Sequence, residues 1–127
     1  MARAEMKDMS KILVVDDDKD ILEILQYILE DHGYEVDTLS DGRHFFDQIN
    51  EHKPDLILLD VMLGNMDGRE LCKAVKTKDD TQRIPVIMLS ASHHRTDADG
   101  PGAPDDFIEK PFDIPMLINH IQRQLAA

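Results

Sequence analysis

The sequence predicts an α/β, doubly wound fold, with a five-stranded parallel sheet covered by helices on both faces. Three observations lead there. Short apolar, β-branched runs alternate with amphipathic stretches at helical spacing along the chain. Two of the runs, in "LILLD" (56–60) and "IPVIMLSAS" (84–92), read as strands buried on both faces. The length of 127 residues, 42% of them hydrophobic, suits one domain and leaves little for a second. Parallel strands need crossover connections, and those are right-handed.

Taken in order, "KILVV" (11–15) is the first strand. The stretch after it places Ile21, Leu22, Ile24, Leu25, Ile28 and Leu29 at helical spacing, with Gly33 as the stop. "YEVDTL" is the second strand, and the helix after it carries Phe45, Phe46 and Ile49 on one side before Pro54 closes it. "LILLD" follows as the third strand. "MDGRELCKAVKTK" then opens with Asp67 as N-cap and Glu70 three residues on, a capping-box arrangement. "IPVIMLSAS" and "DFIEK" are the fourth and fifth strands. "DIPMLINHIQRQLAA" is the last helix, with Leu117, Ile118, Ile121 and Leu125 as its apolar stripe. The order is strand then helix, five times, in a domain spanning 11–127 behind a mobile arm of residues 1–10.

Composition narrows the function classes. With 26 acidic against 14 basic residues the formal charge is −12, which argues against nucleic acid and towards cations or basic protein faces. The single cysteine, Cys72, has no partner for an internal disulfide and no metal-ligand spacing around it, and reads as a buried thiol. No apolar stretch approaches the ~20 residues of a membrane span. The opening "MARAEMKDMSK" lacks the apolar block of a signal peptide, so the expected location is cytoplasmic, with no membrane partner.

In open parallel sheets, ligands bind at the carboxyl ends of the strands, near the point where strand order reverses. The residues at those ends are Asp16 and Asp17, Asp60, Ser90 and Lys110. Like charges ~4 Å apart repel by about 4 kcal/mol at a protein surface, and Lys110 alone does not balance three carboxylates. A hard divalent cation such as Mg2+ would balance them, since it takes oxygen ligands and is commonly held by carboxylates together with phosphate. Metal, ammonium and hydroxyl could share the oxygens of a phosphoryl group, leaving one carboxylate for in-line attack. The plainer reading, helix caps facing water, suits Asp18 and Asp20. His93 and His94 lack a third ligand at suitable spacing and read as exposed loop residues.

Four stretches, "ILVVDDDKDI", "PDLILLDVMLGNMDG", "PVIMLSAS" and "DDFIEKPF", together resemble the receiver domain of two-component response regulators, from about Lys11 to the C-terminus. The resemblance implies a flavodoxin-like (βα)5 fold. It implies that Asp60 is the phospho-accepting nucleophile, charged by a sensor histidine kinase or a histidine phosphotransfer protein. It further implies that Asp16 and Asp17 hold Mg2+ with Asp60 and the backbone carbonyl of Met62. Ser90 and Lys110 would engage the phosphoryl group. Phe107 would be the switch aromatic that turns inward as Ser90 moves, and Lys110-Pro111 would be a cis peptide. Ser92 and the Met62 side chain match positions that tune loss of the phosphoryl group. A receiver catalyses its own phosphorylation and dephosphorylation and is not a conventional enzyme.

Two departures stand out. Gly64 occupies a place where the family usually has proline, which loosens the turn. "ASHHRTDADGPGAPDD" (91–106) replaces the usual fourth helix with a sequence that supports a loop, or one or two helical turns. The face often used for output is therefore altered. Two other classes stay open. One is a haloacid-dehalogenase-like phosphohydrolase, suggested by the Asp16-x-Asp18 spacing, although its nucleophile lies on the first strand and Asp60 has no role in it. The other is a receiver-like interaction module that is not phosphorylated. The expectation is a stand-alone receiver acting on a downstream protein target by contact, with relay to another histidine and a fragment of a longer regulator as alternatives.

Overall fold

The computed structural model of the chain describes residues 9–91 and 102–126. Most of the expected arm, and Ser92, His93 and His94, lie outside them, as does most of the segment expected to lack a regular fourth helix. Residues 102–105 carry no helix.

The elements run β1 (Lys11–Val15), α1 (Lys19–Asp31), β2 (Glu35–Leu39), α2 (Phe45–His52), β3 (Leu56–Asp60), β4 (Met62–Leu63), β5 (Met66–Asp67), α3 (Gly68–Thr77), β6 (Val86–Ser90), β7 (Asp106–Glu109) and α4 (Ile114–Ala126). Five strands form one sheet in the order β2-β1-β3-β6-β7, every pair parallel. The predicted fold class is therefore the observed one. Strand order reverses between β1 and β3, which opens a crevice at their carboxyl ends. The hairpin β4–β5, antiparallel and two residues a side, has no counterpart in the sequence reading. Strands so short carry no periodicity to detect.

The alternation of side chains along the strands divides the core in two. Ile12, Val14, Leu56, Leu58, Ile87 and Leu89 pack with Leu22, Leu25 and Leu29 of α1 and Leu117, Ile118 and Ile121 of α4. Leu13, Val15, Ile57, Leu59, Val86 and Met88 point the other way, onto Phe45 and Ile49 of α2 and Leu71, Cys72 and Val75 of α3. Burying a side chain of this size contributes about 1.5–3 kcal/mol.

Helix ends follow local chemistry. The Asp18 carboxylate accepts from the backbone N–H groups of Asp20 and Ile21 and so caps α1. Gly33, at φ +93°, turns the chain away beyond its C-terminus. Lys53 ends α2 in the left-handed region, directly before Pro54. Asp67 caps α3 by accepting from the Arg69 N–H, and holds the Arg69 guanidinium as well. One position of the predicted α1 stripe is corrected: Ile24 is 57% exposed, because the buried face is centred on Leu22, Leu25 and Leu29 and Ile24 falls off its edge. Among the described residues, no helix is long and apolar enough to cross a membrane.

Candidate functional site

The aspartates after β1 take different positions. Asp16 continues the sheet ladder, donating its backbone N–H to the Leu39 carbonyl at 3.1 Å, so its side chain is carried inward and is fully buried. Its Oδ1 accepts from the Asp18 N–H at 3.0 Å and its Oδ2 from Lys110 Nζ at 3.1 Å. Asp17 alternates outward and is exposed, and its Oδ2 accepts from the backbone N–H of Gly64 at 3.0 Å. Asp18 turns away to cap α1, and Asp20 lies in the first turn of that helix.

Asp60 ends β3, 6% exposed, with its Oδ2 3.6 Å from Lys110 Nζ. Asp16, Asp17 and Asp60 each offer a carboxylate oxygen within 4.8 Å of the others. Lys110 reaches in from the end of β7, its backbone N–H bonded to the Ser90 carbonyl at 2.7 Å, and the Lys110-Pro111 peptide is cis. Its ammonium stands between two carboxylates that are 44 residues apart in the chain and come together because β1 and β3 are neighbours.

The charges do not balance: three carboxylates face one ammonium. Burial, and next the neighbouring Asp16 carboxylate, push Asp60 up to about 6, against the opposing pull of Lys110 and a backbone hydrogen bond from Met62. The surplus is negative, the donors are all oxygens, and one carboxylate is open to solvent. That set fits a hard divalent cation such as Mg2+ and suits no soft one.

Ser90 closes β6 and is 1% exposed. In the β3–β6 register Asp60 faces Leu89, so Ser90 stands one residue further along on the neighbouring strand. Phe107 pairs with Met88, is half-buried and packs against the second core cluster. Ser90, Phe107, Pro111 and His120 line one cavity of about 290 Å³. Met62 lies in β4 beside Asp60, with its side chain exposed.

Two further residues shape the site and escaped the sequence reading of it. Gly68 donates its N–H to the Val61 carbonyl at 2.7 Å, and a Cβ there would land on the Asp60 carbonyl. Gly64 touches the site through the Asp17 bond, although in sequence it signals only a loose turn. "MDG" marks the start of α3, but nothing in it shows that the glycine lies against the strand end carrying Asp60. That is a tertiary approach without a local signal.

Comparison with known proteins gives a consistent family. The family model described as the response regulator receiver domain matches residues 12–122. The phosphate regulon transcriptional regulatory protein PhoB of Rhizobium meliloti (strain 1021) is 38% identical over 118 residues, covering 91% of this chain and 52% of that protein. The chain thus spans about half the length of that curated relative. Among solved structures, a putative response regulator from Chloroflexus aurantiacus J-10-fl aligns with a TM-score of 0.86 at 32% identity, covering 94% of this chain and 99% of that one. The chemotaxis response regulator CheY4 of Vibrio cholerae aligns with a TM-score of 0.83 at 30% identity, covering 91% and 98%.

Proposed function

The chain belongs to the response regulator receiver domain family of two-component signalling, and from that premise we propose that Asp60 accepts a phosphoryl group from a phosphohistidine. The donor is a sensor histidine kinase or a histidine phosphotransfer protein. The observation that carries the reading is the shared ammonium: Lys110 Nζ lies 3.1 Å from Asp16 and 3.6 Å from Asp60, at the strand-order reversal.

An oxygen of the Asp60 carboxylate attacks phosphorus in line with the P–N bond of the donor. The new O–P bond forms as the P–N bond breaks. Its electron pair leaves on the imidazole, which departs neutral when its other ring nitrogen carries a proton. Asp16, Asp17, Asp60 and the Met62 backbone carbonyl would hold Mg2+, which would supply positive charge against the carboxylates and the phosphoryl oxygens. Lys110 exchanges its hold on Asp60 for a phosphoryl oxygen, and the Ser90 hydroxyl donates to another. Phe107, next to Ser90 in the same cavity, follows that movement inward. The phosphoryl charge shifts the balance between two populations of these residues, and a downstream protein that binds one of them reads the signal.

A phosphohydrolase of the haloacid-dehalogenase kind is disfavoured by the use made of the first acidic run. Asp18 is committed to capping α1 and Asp16 to Lys110 and the Asp18 N–H. With its carboxylate turned to the helix N-terminus, Asp18 is not placed as the general acid that such a pair needs. Incubation with Mg2+ and a small acyl phosphate should add one phosphoryl group by intact-mass analysis, and Asp60→Asn should abolish the addition. Undiminished incorporation in the variant would overturn Asp60 as the acceptor.

A further inference from the structure

We infer that Gly64 is a positioning residue for the metal site, its backbone N–H holding the Asp17 carboxylate in place before a divalent cation arrives; this deepens the reading above and rests on it. Of the three clustered carboxylates, two are fixed by burial and by Lys110. Asp17 is the exposed one, and a solvent-facing aspartate otherwise samples several rotamers. The bond from the Gly64 N–H to Asp17 Oδ2, 3.0 Å across 47 residues of sequence, ties it down. In that arrangement an oxygen of Asp17 already lies within 4.8 Å of oxygens of Asp16 and Asp60.

The glycine is used in two ways. Its φ of +61° is in the left-handed region, which aims the N–H and which proline, locked near −65°, does not reach. Proline also has no N–H to give. Side-chain bulk is not the constraint, because a Cβ at position 64 would meet nothing within 4 Å. Asparagine tolerates the left-handed region and keeps the N–H. Gly64→Asn should therefore preserve the tie and Gly64→Pro should remove it. Freezing one side chain before binding removes an ordering cost that binding would otherwise bear, worth a change of about three- to tenfold in affinity.

The test is a Mg2+ titration of the unphosphorylated chain, followed by backbone amide resonances, in the unaltered protein, Gly64→Asn, Gly64→Pro and Asp17→Ala. Gly64→Asn should bind within about twofold of the unaltered chain and Gly64→Pro about three- to tenfold more weakly. The Pro substitution should have no further effect in the Asp17→Ala background. Asp17→Ala alone should shift the Gly64 amide proton upfield as its acceptor is lost. Should Gly64→Pro not fold, an ester in place of the Leu63–Gly64 amide removes the N–H alone, and the same weakening is expected. Equal Mg2+ affinity with and without the N–H, or an unmoved Gly64 amide in Asp17→Ala, would overturn this inference and leave the site reading intact. Absence of Mg2+ binding in the unaltered chain would overturn both.

Discussion

Asp60 shows what concentrating charge costs the resting protein. Its carboxyl is pushed up to about 6 from an ordinary 3.8, by burial first and Asp16 next. A carboxyl raised on folding binds its proton more tightly in the native state than in the unfolded one. Between about pH 4 and 6 the unfolded chain has already lost that proton, so stability falls as pH rises through this window and stays lower above it. Asp60→Asn carries no charge to desolvate. Without divalent cations at pH 7.5, it should be more stable than the unaltered chain by up to about 3 kcal/mol, the order that a two-unit shift implies. The difference should shrink towards zero near pH 4. Urea denaturation at the two pH values measures it; a variant less stable at pH 7.5 would show that Asp60 is not strained by its neighbours. Cys72 behaves in the opposite sense for function: burial pushes its thiol up to about 12, so it stays protonated and packs as a small apolar side chain.

At the scale of elements, the edge strand β7 delivers both Phe107 and Lys110, and Asp105 sets where it begins. The Asp105 N–H donates to the Val86 carbonyl at 2.9 Å, while its Oδ2 accepts from the Val86 N–H at 2.9 Å and from Lys76 Nζ at 2.8 Å. Lys76 also donates to the Ile84 carbonyl, so one junction joins the last turn of α3 to the start of β6 and β7. Asp105→Ala would leave the Lys76 ammonium, 13% exposed, without its carboxylate and the Val86 N–H without an acceptor. The expected loss is about 2 kcal/mol in urea denaturation, with Asp105→Asn losing less because it keeps an acceptor. An alanine variant as stable as the parent would mean that the junction contributes nothing. No local signal in "GAPDDF" announces this role. The strands themselves were legible, since "LILLD" and "VIMLS" are apolar throughout, and so was the cap at Asp18. The hairpin β4–β5 and the exposed Ile24 were not: the first is too short for a period, and the second is apolar at helical spacing yet just off the buried face. The clustering of these side chains was legible because parallel strands deliver their carboxyl ends to one rim, so residues 94 apart, such as Asp16 and Lys110, could be placed together on paper. The Gly64 and Gly68 contacts depend on how two loops cross, which sequence periodicity does not encode.

On the scale of the whole molecule, two electrostatic problems are superimposed, and they respond differently to salt. The chain carries a formal −12, and this diffuse excess repels itself at long range. The cluster of Asp16, Asp17 and Asp60 repels at short range within a partly buried crevice. Screening reaches the first, with a Debye length of about 10 Å at 0.1 M, and acts less on groups a few ångströms apart of which two, Asp16 and Asp60, are buried. Sodium chloride should therefore raise the melting temperature gradually, and equally in the parent and in Asp17→Ala. On the proposed site, millimolar Mg2+ should do more than sodium chloride at matched ionic strength, because a cation held by the native cluster stabilises it by mass action; at a hundredfold excess over its dissociation constant the gain is about 2.7 kcal/mol. Asp17→Ala should lose that extra gain while keeping the response to sodium chloride. Thermal denaturation of both proteins in the two salts separates the effects. If Mg2+ gave Asp17→Ala the same excess over sodium chloride as the parent, the cation would be acting on the diffuse charge, and the crevice at the strand ends would not be where it binds.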